Sequence, residues 1–133
     1  GFWEFPGGKV EEKETRKQAI VREIKEELDL DISADRIFCQ IPFHYPDGKE
    51  INLIGIECTI LGGELKLLEH EDVQWVKIEE LNKWKLTLPD VNVSVILREG
   101  LKNKDGKPEY VRITKGKFED VPSFLTMNEV IMY

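Results

Sequence analysis

The stretch Gly8-Lys9-Val10-Glu11-Glu12-Lys13-Glu14-Thr15-Arg16-Lys17-Gln18-Ala19-Ile20-Val21-Arg22-Glu23-Ile24-Lys25-Glu26-Glu27-Leu28-Asp29-Leu30 decides how the rest of the chain is read. The glycine turn Pro6-Gly7-Gly8 leads into it. Thr15 with Gln18 three residues on has the spacing of a capping box. Arg16 to Leu28 holds no glycine or proline and few β-branched residues, which predicts a helix there. At the helical period Lys17, Ile20, Val21, Ile24 and Leu28 share one arc, the expected core face, with Lys17 snorkelling at its edge. Glu23, Glu26 and Glu27 share an adjoining arc at i,i+3 and i,i+4 spacings. Glu27 lies beside the apolar edge and is expected to be partly buried.

That acidic arc is electrostatically costly. Like charges at i,i+4 repel by about 0.2–0.5 kcal/mol per pair. The three glutamates also sit near the negative end of the helix dipole, where cations are favoured. Arg22 reaches Glu26 at i,i+4 and Lys25 flanks, but two cations do not neutralise the arc together with Asp29 and Asp31. A hard divalent ion, Mg²⁺ or Mn²⁺, takes carboxylate oxygens and keeps positions for phosphate and water. A merely solvated acidic face is the bland alternative. It leaves the glycine turn and the edge position of Glu27 unexplained.

Written as a pattern, the stretch is Gly8, five residues, Glu14, seven residues, Arg22-Glu23-Ile24, one residue, Glu26-Glu27, one residue, Asp29-Leu30. It resembles the signature of the Nudix hydrolases, G-x5-E-x7-R-E-U-x-E-E-x-G-U with U a bulky aliphatic. One fixed position departs: Asp29 stands where the family usually has glycine. The departure touches a helix C-cap, where glycine accepts left-handed geometry more readily than aspartate. It removes no carboxylate. The lead-in Trp3-Glu4-Phe5-Pro6-Gly7-Gly8-Lys9 resembles the MutT-like branch, whose members cleave nucleoside triphosphates to the monophosphate and pyrophosphate.

The resemblance implies an α/β/α sandwich with a mixed sheet between the signature helix and a second helix. It covers roughly Phe2 to Leu101; local reading by itself gives an α+β domain. We take residues 1–103 as the Nudix domain and 104–133 as a C-terminal extension without an assigned role. The resemblance further implies metal held by the Gly7 carbonyl, Glu23, Glu26 and Glu27, with Arg22 orienting the glutamates. Glu14 is expected to brace the loop–helix junction through Lys9 or Arg16. Phe5 and Asn92 fall where that branch holds the base, and Lys9 is counted with them as substrate-binding. Phe5 and Trp3 read equally well as core aromatics. A further carboxylate often comes from the region before the Val73–Ile78 strand. The position immediately before Trp75 is Gln74, so Glu69, Glu71 and Asp72 are the candidates. His44 is read as a structural hairpin histidine or a phosphate or base contact.

Composition bounds the remainder. The chain has 133 residues, 41% hydrophobic, enough for one domain with a core. A net charge of −7 argues against a nucleic-acid polymer as partner. An anionic nucleotide fits if metal carries the positive charge. Cys39 and Cys58 lack metal-ligand spacing and read as reduced core residues. No apolar run reaches membrane-spanning length and no signal peptide is visible, so a cytoplasmic monomer or homodimer is expected.

Along the chain, Gly1 to Phe5 reads as a short strand, truncated or replaced relative to the longer N-terminal β segment of the family. Asp29 to Asp35 reads as a polar connection, and Arg36 to Ile41 as a strand. Pro46-Asp47-Gly48 reads as a hairpin turn into the apolar strand Glu50–Ile60. Glu64–Leu68 reads as a short strand or turn, and Glu79–Asn82 as a helical turn. A second helix follows, with Asp90 as N-cap, Val91, Val95 and Ile96 as apolar edge, and Gly100 as its stop. Tyr110 to Thr114 reads as a strand, and it or an upstream segment is expected to cover the open sheet edge. The expected activity is divalent-metal-dependent hydrolysis of a nucleoside triphosphate, 8-oxo-dGTP foremost. The alternatives are CTP, dCTP or another nucleoside diphosphate derivative, and a non-catalytic ligand-binding module of the same fold.

Overall fold

The computed structural model describes residues 2–68, 70–101, 110–116 and 128–129. In chain order the elements are β1 (Trp3–Glu4), α1 (Arg16–Leu28), β2 (Asp31–His44), β3 (Glu50–Gly62) and β4 (His70–Lys77). A 3-10 turn over Ile78–Lys83 follows, then α2 (Leu88–Leu101), β5 (Tyr110–Gly116) and β6 (Asn128–Glu129). Two three-stranded sheets result, ordered β1-β5-β4 and β2-β3-β6. The first is antiparallel throughout; in the second, β6 runs parallel to β3. This is the expected α+β architecture, with the strands divided between two sheets.

The expected capping box forms. Thr15 Oγ1 accepts the Gln18 N–H at 3.1 Å and Gln18 Oε1 accepts the Thr15 N–H at 2.8 Å, satisfying two of the donors a helix start leaves open. Ala19, Ile20, Ile24, Glu27 and Leu28 form the buried stripe of α1. Val21, expected inside, is 38% exposed, and Ala19 takes its place. The stripe is turned toward Glu27, whose burial the sequence had anticipated. At the other end Asp29 adopts the left-handed conformation, φ 56°, ψ 34°, that the signature's usual glycine takes without strain. Its carboxylate is paired with Lys25 at 3.1 Å and Lys66 at 3.7 Å. Lys25 in turn holds the Asp29 carboxyl below the usual carboxylate range.

β3 reads as almost wholly apolar because it feeds two cores. Ile54, Ile56 and Cys58 join Ile20, Ile24 and Leu28 of α1. Ile51 and Leu53 join Phe5, Val93, Leu97, Val111 and Ile113 on the α2 side. The hairpin turn forms where expected, with Tyr45 N–H on the Lys49 carbonyl at 2.8 Å and Gly48 at φ 92°. β2 begins at Asp31, earlier than the polar connection expected over Asp29–Asp35. Ile32 is buried, and the Asp35 carboxylate accepts from the Ser33 and Thr59 hydroxyls, so the polar residues are satisfied on the strand's outer side. Glu64–Leu68 forms no strand. It crosses the end of α1, where Lys66 N–H and Leu68 N–H satisfy the carbonyls of Leu28 and Glu27.

α2 is rotated from its expected face. Val91, Val95 and Ile96 are exposed, whereas Asp90, Val93, Ser94 and Leu97 are buried. Asp90 lies inside the helix, on an i,i+3,i+4,i+7 stripe with those three, and its carboxylate reaches across to the Phe5 N–H. Gly100 lies within the helix and does not stop it. Both cysteines are free, Cys58 buried and Cys39 half-buried. Burial pushes the Cys58 thiol up to about 12.

β5 lies between β1 and β4. Glu4 pairs with Thr114 and Trp75 with Arg112 across its two edges. Removing β5 strips both neighbours of their ladder partners, and unpaired edges invite association. A chain ending at Lys107 is expected to aggregate or fail to give a cooperative thermal transition. Size-exclusion chromatography and circular dichroism check this; a soluble, cooperatively folding monomer contradicts the framing role of β5.

Candidate active site

The glycine turn and α1 meet in a dense polar junction. Arg22, on the outer side of α1, forks onto Glu14 through Nε to Oε2 at 3.1 Å and Nη2 to Oε1 at 2.7 Å. Nη1 reaches Glu23 at 2.8 Å and Glu26 at 3.2 Å, and Nη2 also donates to the Lys9 carbonyl at 2.9 Å. Glu11 stands 3.7 Å away. This planar array suits a guanidinium and not a lysine. Glu14 therefore braces the loop through Arg22, not through the Lys9 or Arg16 side chains; Arg16 instead bonds Gln40. The Arg22 hydrogen bonds, then the Glu11 N–H, hold the Glu14 carboxyl below its usual value. Glu14 and then Glu23 push the Arg22 pKa upward, against its partial burial.

The three signature glutamates form a gradient of exposure. Glu27 is 5% exposed and accepts the Gly7 N–H at 3.1 Å. The Glu23 side chain is 13% exposed and presses on Gly8, where a Cβ would lie 2.4 Å from its carboxyl carbon. Glu26 stands at the rim, half exposed. Gly8 is thus glycine because a carboxylate occupies the space of a side chain. Arg22 is one cation among four carboxylates within 4.0 Å: Glu11, Glu14, Glu23 and Glu26.

The donor set fits a hard divalent cation in kind, with carboxylate oxygens on one helix face and a glycine cradle opposite. Glu23 and Glu26 are turned onto Arg22 and Glu27 onto the Gly7 amide. Among the described residues no three His, Cys, Asp or Glu side chains are already gathered as a metal cluster. Glu23, Glu26 and Glu27 would hold the ion.

The other candidates are placed as follows. Phe5 is buried in the α2-side core, with its N–H on Asp90. That bond ties the first turn of α2 to the residue that leads into the glycine turn. Asn92 is exposed, as is the Lys9 side chain. Asp72 Oδ1 accepts the Val73 N–H and Oδ2 accepts from Gln74, while Glu71 stands 3.9 Å from Lys115. None of these contacts reaches Glu23, Glu26 or Glu27. Glu69 lies outside the described residues. His44 pairs with Glu50 at the turn end of the β2–β3 hairpin, far along the sheet from α1. Trp3 packs edge-on against Trp84 beside the α2-side core. Sequence reading missed the Asp90 tie to Phe5; the only signal for it was the i,i+3,i+4,i+7 relation of Asp90 to Val93, Ser94 and Leu97.

The glycine turn is thus pinned to a buried helix glutamate, with an Arg–Glu brace behind it. The sequence matches the NUDIX domain over residues 1–97, and the chain belongs to that family. Its relatives include an 8-oxo-dGTP diphosphatase of Proteus vulgaris, 45% identical over 47 residues, 35% of this chain and 42% of that protein. The CTP pyrophosphohydrolase of Escherichia coli is 33% identical over 93 residues, 68% of this chain and 67% of that protein. The match thus spans less than half of the first relative's length and two-thirds of the second's. The solution structure of the E. coli ORF135 protein superposes with a TM-score of 0.67 at 30% identity, over 77% of this chain and 72% of that one.

The lowered Glu14 pKa fixes the sign of a pH effect. Its stabilising contribution is complete above the ordinary carboxylate value of 4.5 and is lost as pH falls through the lowered value in the folded state. Glu14→Gln is expected to be less stable than the parent at neutral pH, the gap closing in acid. Urea midpoints taken from about pH 7 down to about pH 3 check this; a gap that stays constant contradicts the brace.

Proposed function

We propose that this chain hydrolyses a nucleoside triphosphate to the monophosphate and pyrophosphate in a divalent-metal-dependent reaction, with Mg²⁺ or Mn²⁺ as the metal. The observation that carries the reading is Glu27, a carboxylate only 5% exposed and aimed at the Gly7 amide from the face shared with Glu23 and Glu26. When bound, the metal supplies charge neutralisation of the phosphates and polarises an attacking water. Glu27, Glu23 and Glu26 would hold it, with the Gly7 carbonyl as a further ligand. Arg22 keeps the glutamates oriented and closes the Lys9 carbonyl onto the helix, so positioning precedes chemistry. Glu71 and Asp72 are the described candidates for an additional carboxylate.

For the base we propose an oxidised guanine, 8-oxo-dGTP, which makes the role nucleotide-pool sanitation. Phe5 would line the base pocket, the Lys9 ammonium would meet the phosphates, and Asn92 would read the edge. An asparagine amide offers a donor and an acceptor in one plane, matching the adjacent groups of a guanine whose N7 has become a donor. Asn92 is exposed in the free protein, so it discriminates between bases only where a bound base buries its amide and a wrong one leaves it unpaired. The 33% identity to a CTP pyrophosphohydrolase supports a second reading, in which the base is cytosine. Among the described residues no helix is long and apolar enough to cross a membrane.

Two substitutions test this. Glu27→Gln is expected to abolish turnover and to leave the metal-free fold intact; hydrolysis at the parental rate contradicts the metal assignment. Asn92→Ala is expected to lower kcat/KM for 8-oxo-dGTP by about 1–3 kcal/mol and to spare slow turnover of other nucleotides. An unchanged substrate ranking, or dCTP preferred by the parent protein, removes the purine reading and leaves the pyrophosphohydrolase.

A further inference from the structure

A buried carboxylate outside the signature helix ties α2 to the segment that leads into the glycine turn. Asp90 is fully buried in the first turn of α2, and its Oδ2 accepts the Phe5 N–H at 2.9 Å across 85 residues of chain. Burying a carboxylate is costly unless hydrogen bonds hold it, and a helix N-terminus favours its negative charge. What that bond holds is the start of the glycine turn. Phe5 is followed by Pro6, whose ring fixes its own φ. Gly7 then donates to Glu27 at 3.1 Å, and Gly8 lies against the Glu23 carboxylate. Phe5 and Gly7 are therefore each held by a hydrogen bond to a carboxylate, the first from α2 and the second from α1, and Gly8 lies beside Glu23.

β1 is short, but it is seated on both sides. Trp3 N–H donates to the Lys85 carbonyl at 2.7 Å, and Thr87 N–H donates to the Trp3 carbonyl at 2.9 Å. On the other side Glu4 pairs with Thr114, whose hydroxyl donates to the Glu4 carbonyl at 3.3 Å. After Glu4 the segment leaves β5, and Asp90 takes over its next backbone donor, that of Phe5. Pro6 has no N–H, so the next amide is that of Gly7, already on Glu27. The Asp90 bond is thus the last anchor before the turn reaches the glutamates.

We propose that Asp90 is a positioning residue: it acts through Phe5, Pro6 and Gly7 to set the orientation of Glu27 for metal binding. This rests on the reading of Glu23, Glu26 and Glu27 as metal-holding residues. Partners one bond behind the ligands of a metal typically change its affinity about 10–100-fold when removed.

The test compares Asp90→Ala, which removes the acceptor, with Asp90→Asn, which keeps an acceptor oxygen. Mn²⁺ affinity without nucleotide is measured by calorimetry, and the Gly7 amide is followed by ¹⁵N NMR and hydrogen exchange. Asp90→Ala is expected to weaken Mn²⁺ binding about tenfold or more, to shift the Gly7 amide and to speed its exchange. kcat should fall while KM for the nucleotide moves little. Asp90→Asn is expected to restore most of the affinity. A folded Asp90→Ala protein with parental Mn²⁺ affinity and an unmoved Gly7 amide overturns the proposal. Should Asp90→Ala not fold, Asp90→Asn decides alone: parental Gly7 exchange and Mn²⁺ affinity support the acceptor role, and a tenfold loss of affinity despite the retained acceptor overturns it. Glu27→Gln is the control for the underlying reading. If it binds Mn²⁺ as tightly as the parent, the metal assignment itself fails, whatever Asp90 does.

Discussion

The guanidinium of Arg22 is the constraint on which the site depends. It is a cation shared by Glu14, Glu23 and Glu26, and it also closes on the Lys9 carbonyl. The loop between the glycine turn and α1 therefore has its geometry set by a helix side chain. Glu14 reinforces this by accepting the Glu11 N–H with one oxygen while both oxygens take the Arg22 fork. Removing either partner leaves a partly buried charge without its counterpart, which costs more than the pair itself contributes. Arg22 offsets only part of the acidic cluster, and the remaining negative charge is of the sign that attracts a cation.

The second dependence is steric. Gly8 leaves room for Glu23, and Gly7 brings a backbone amide to Glu27. Behind the turn, β1 is held by the segment Lys85–Thr87 on one side and by β5 on the other. The residues after α2 are thus part of the frame that seats the glycine turn. Fold and site thus share the backbone segment Phe5 to Gly8.

Much of the site was legible because its determinants are local. The capping box, the apolar arc of α1 and the burial of Glu27 all follow from spacings within one helix, where side-chain period and backbone geometry are tightly linked. Gly8, Glu14 and Arg22 were legible as a pattern; that Glu14 meets Arg22, not Lys9 or Arg16, depends on how the loop folds back. The errors arise where a distant partner decides. Asp90 looked like a helix cap, yet Phe5, 85 residues away, takes its carboxylate and turns Val93 and Leu97 inward in place of Val91 and Val95. Asp31 to Asp35 looked like a loop because its polar residues find partners only when β3 lies alongside. The place of β5 between β1 and β4 is a matter of topology, on which the local alternation of Tyr110 to Thr114 is silent.

The most direct test of the central claim is a panel of nucleoside triphosphates, including 8-oxo-dGTP, dGTP, CTP and dCTP, incubated with Mg²⁺ and assayed separately for pyrophosphate and orthophosphate. The account predicts one pyrophosphate per monophosphate formed, no orthophosphate, complete dependence on the divalent ion, and 8-oxo-dGTP consumed fastest. Release of orthophosphate, or no turnover of any nucleotide by a protein that binds Mn²⁺ through Glu27, contradicts it.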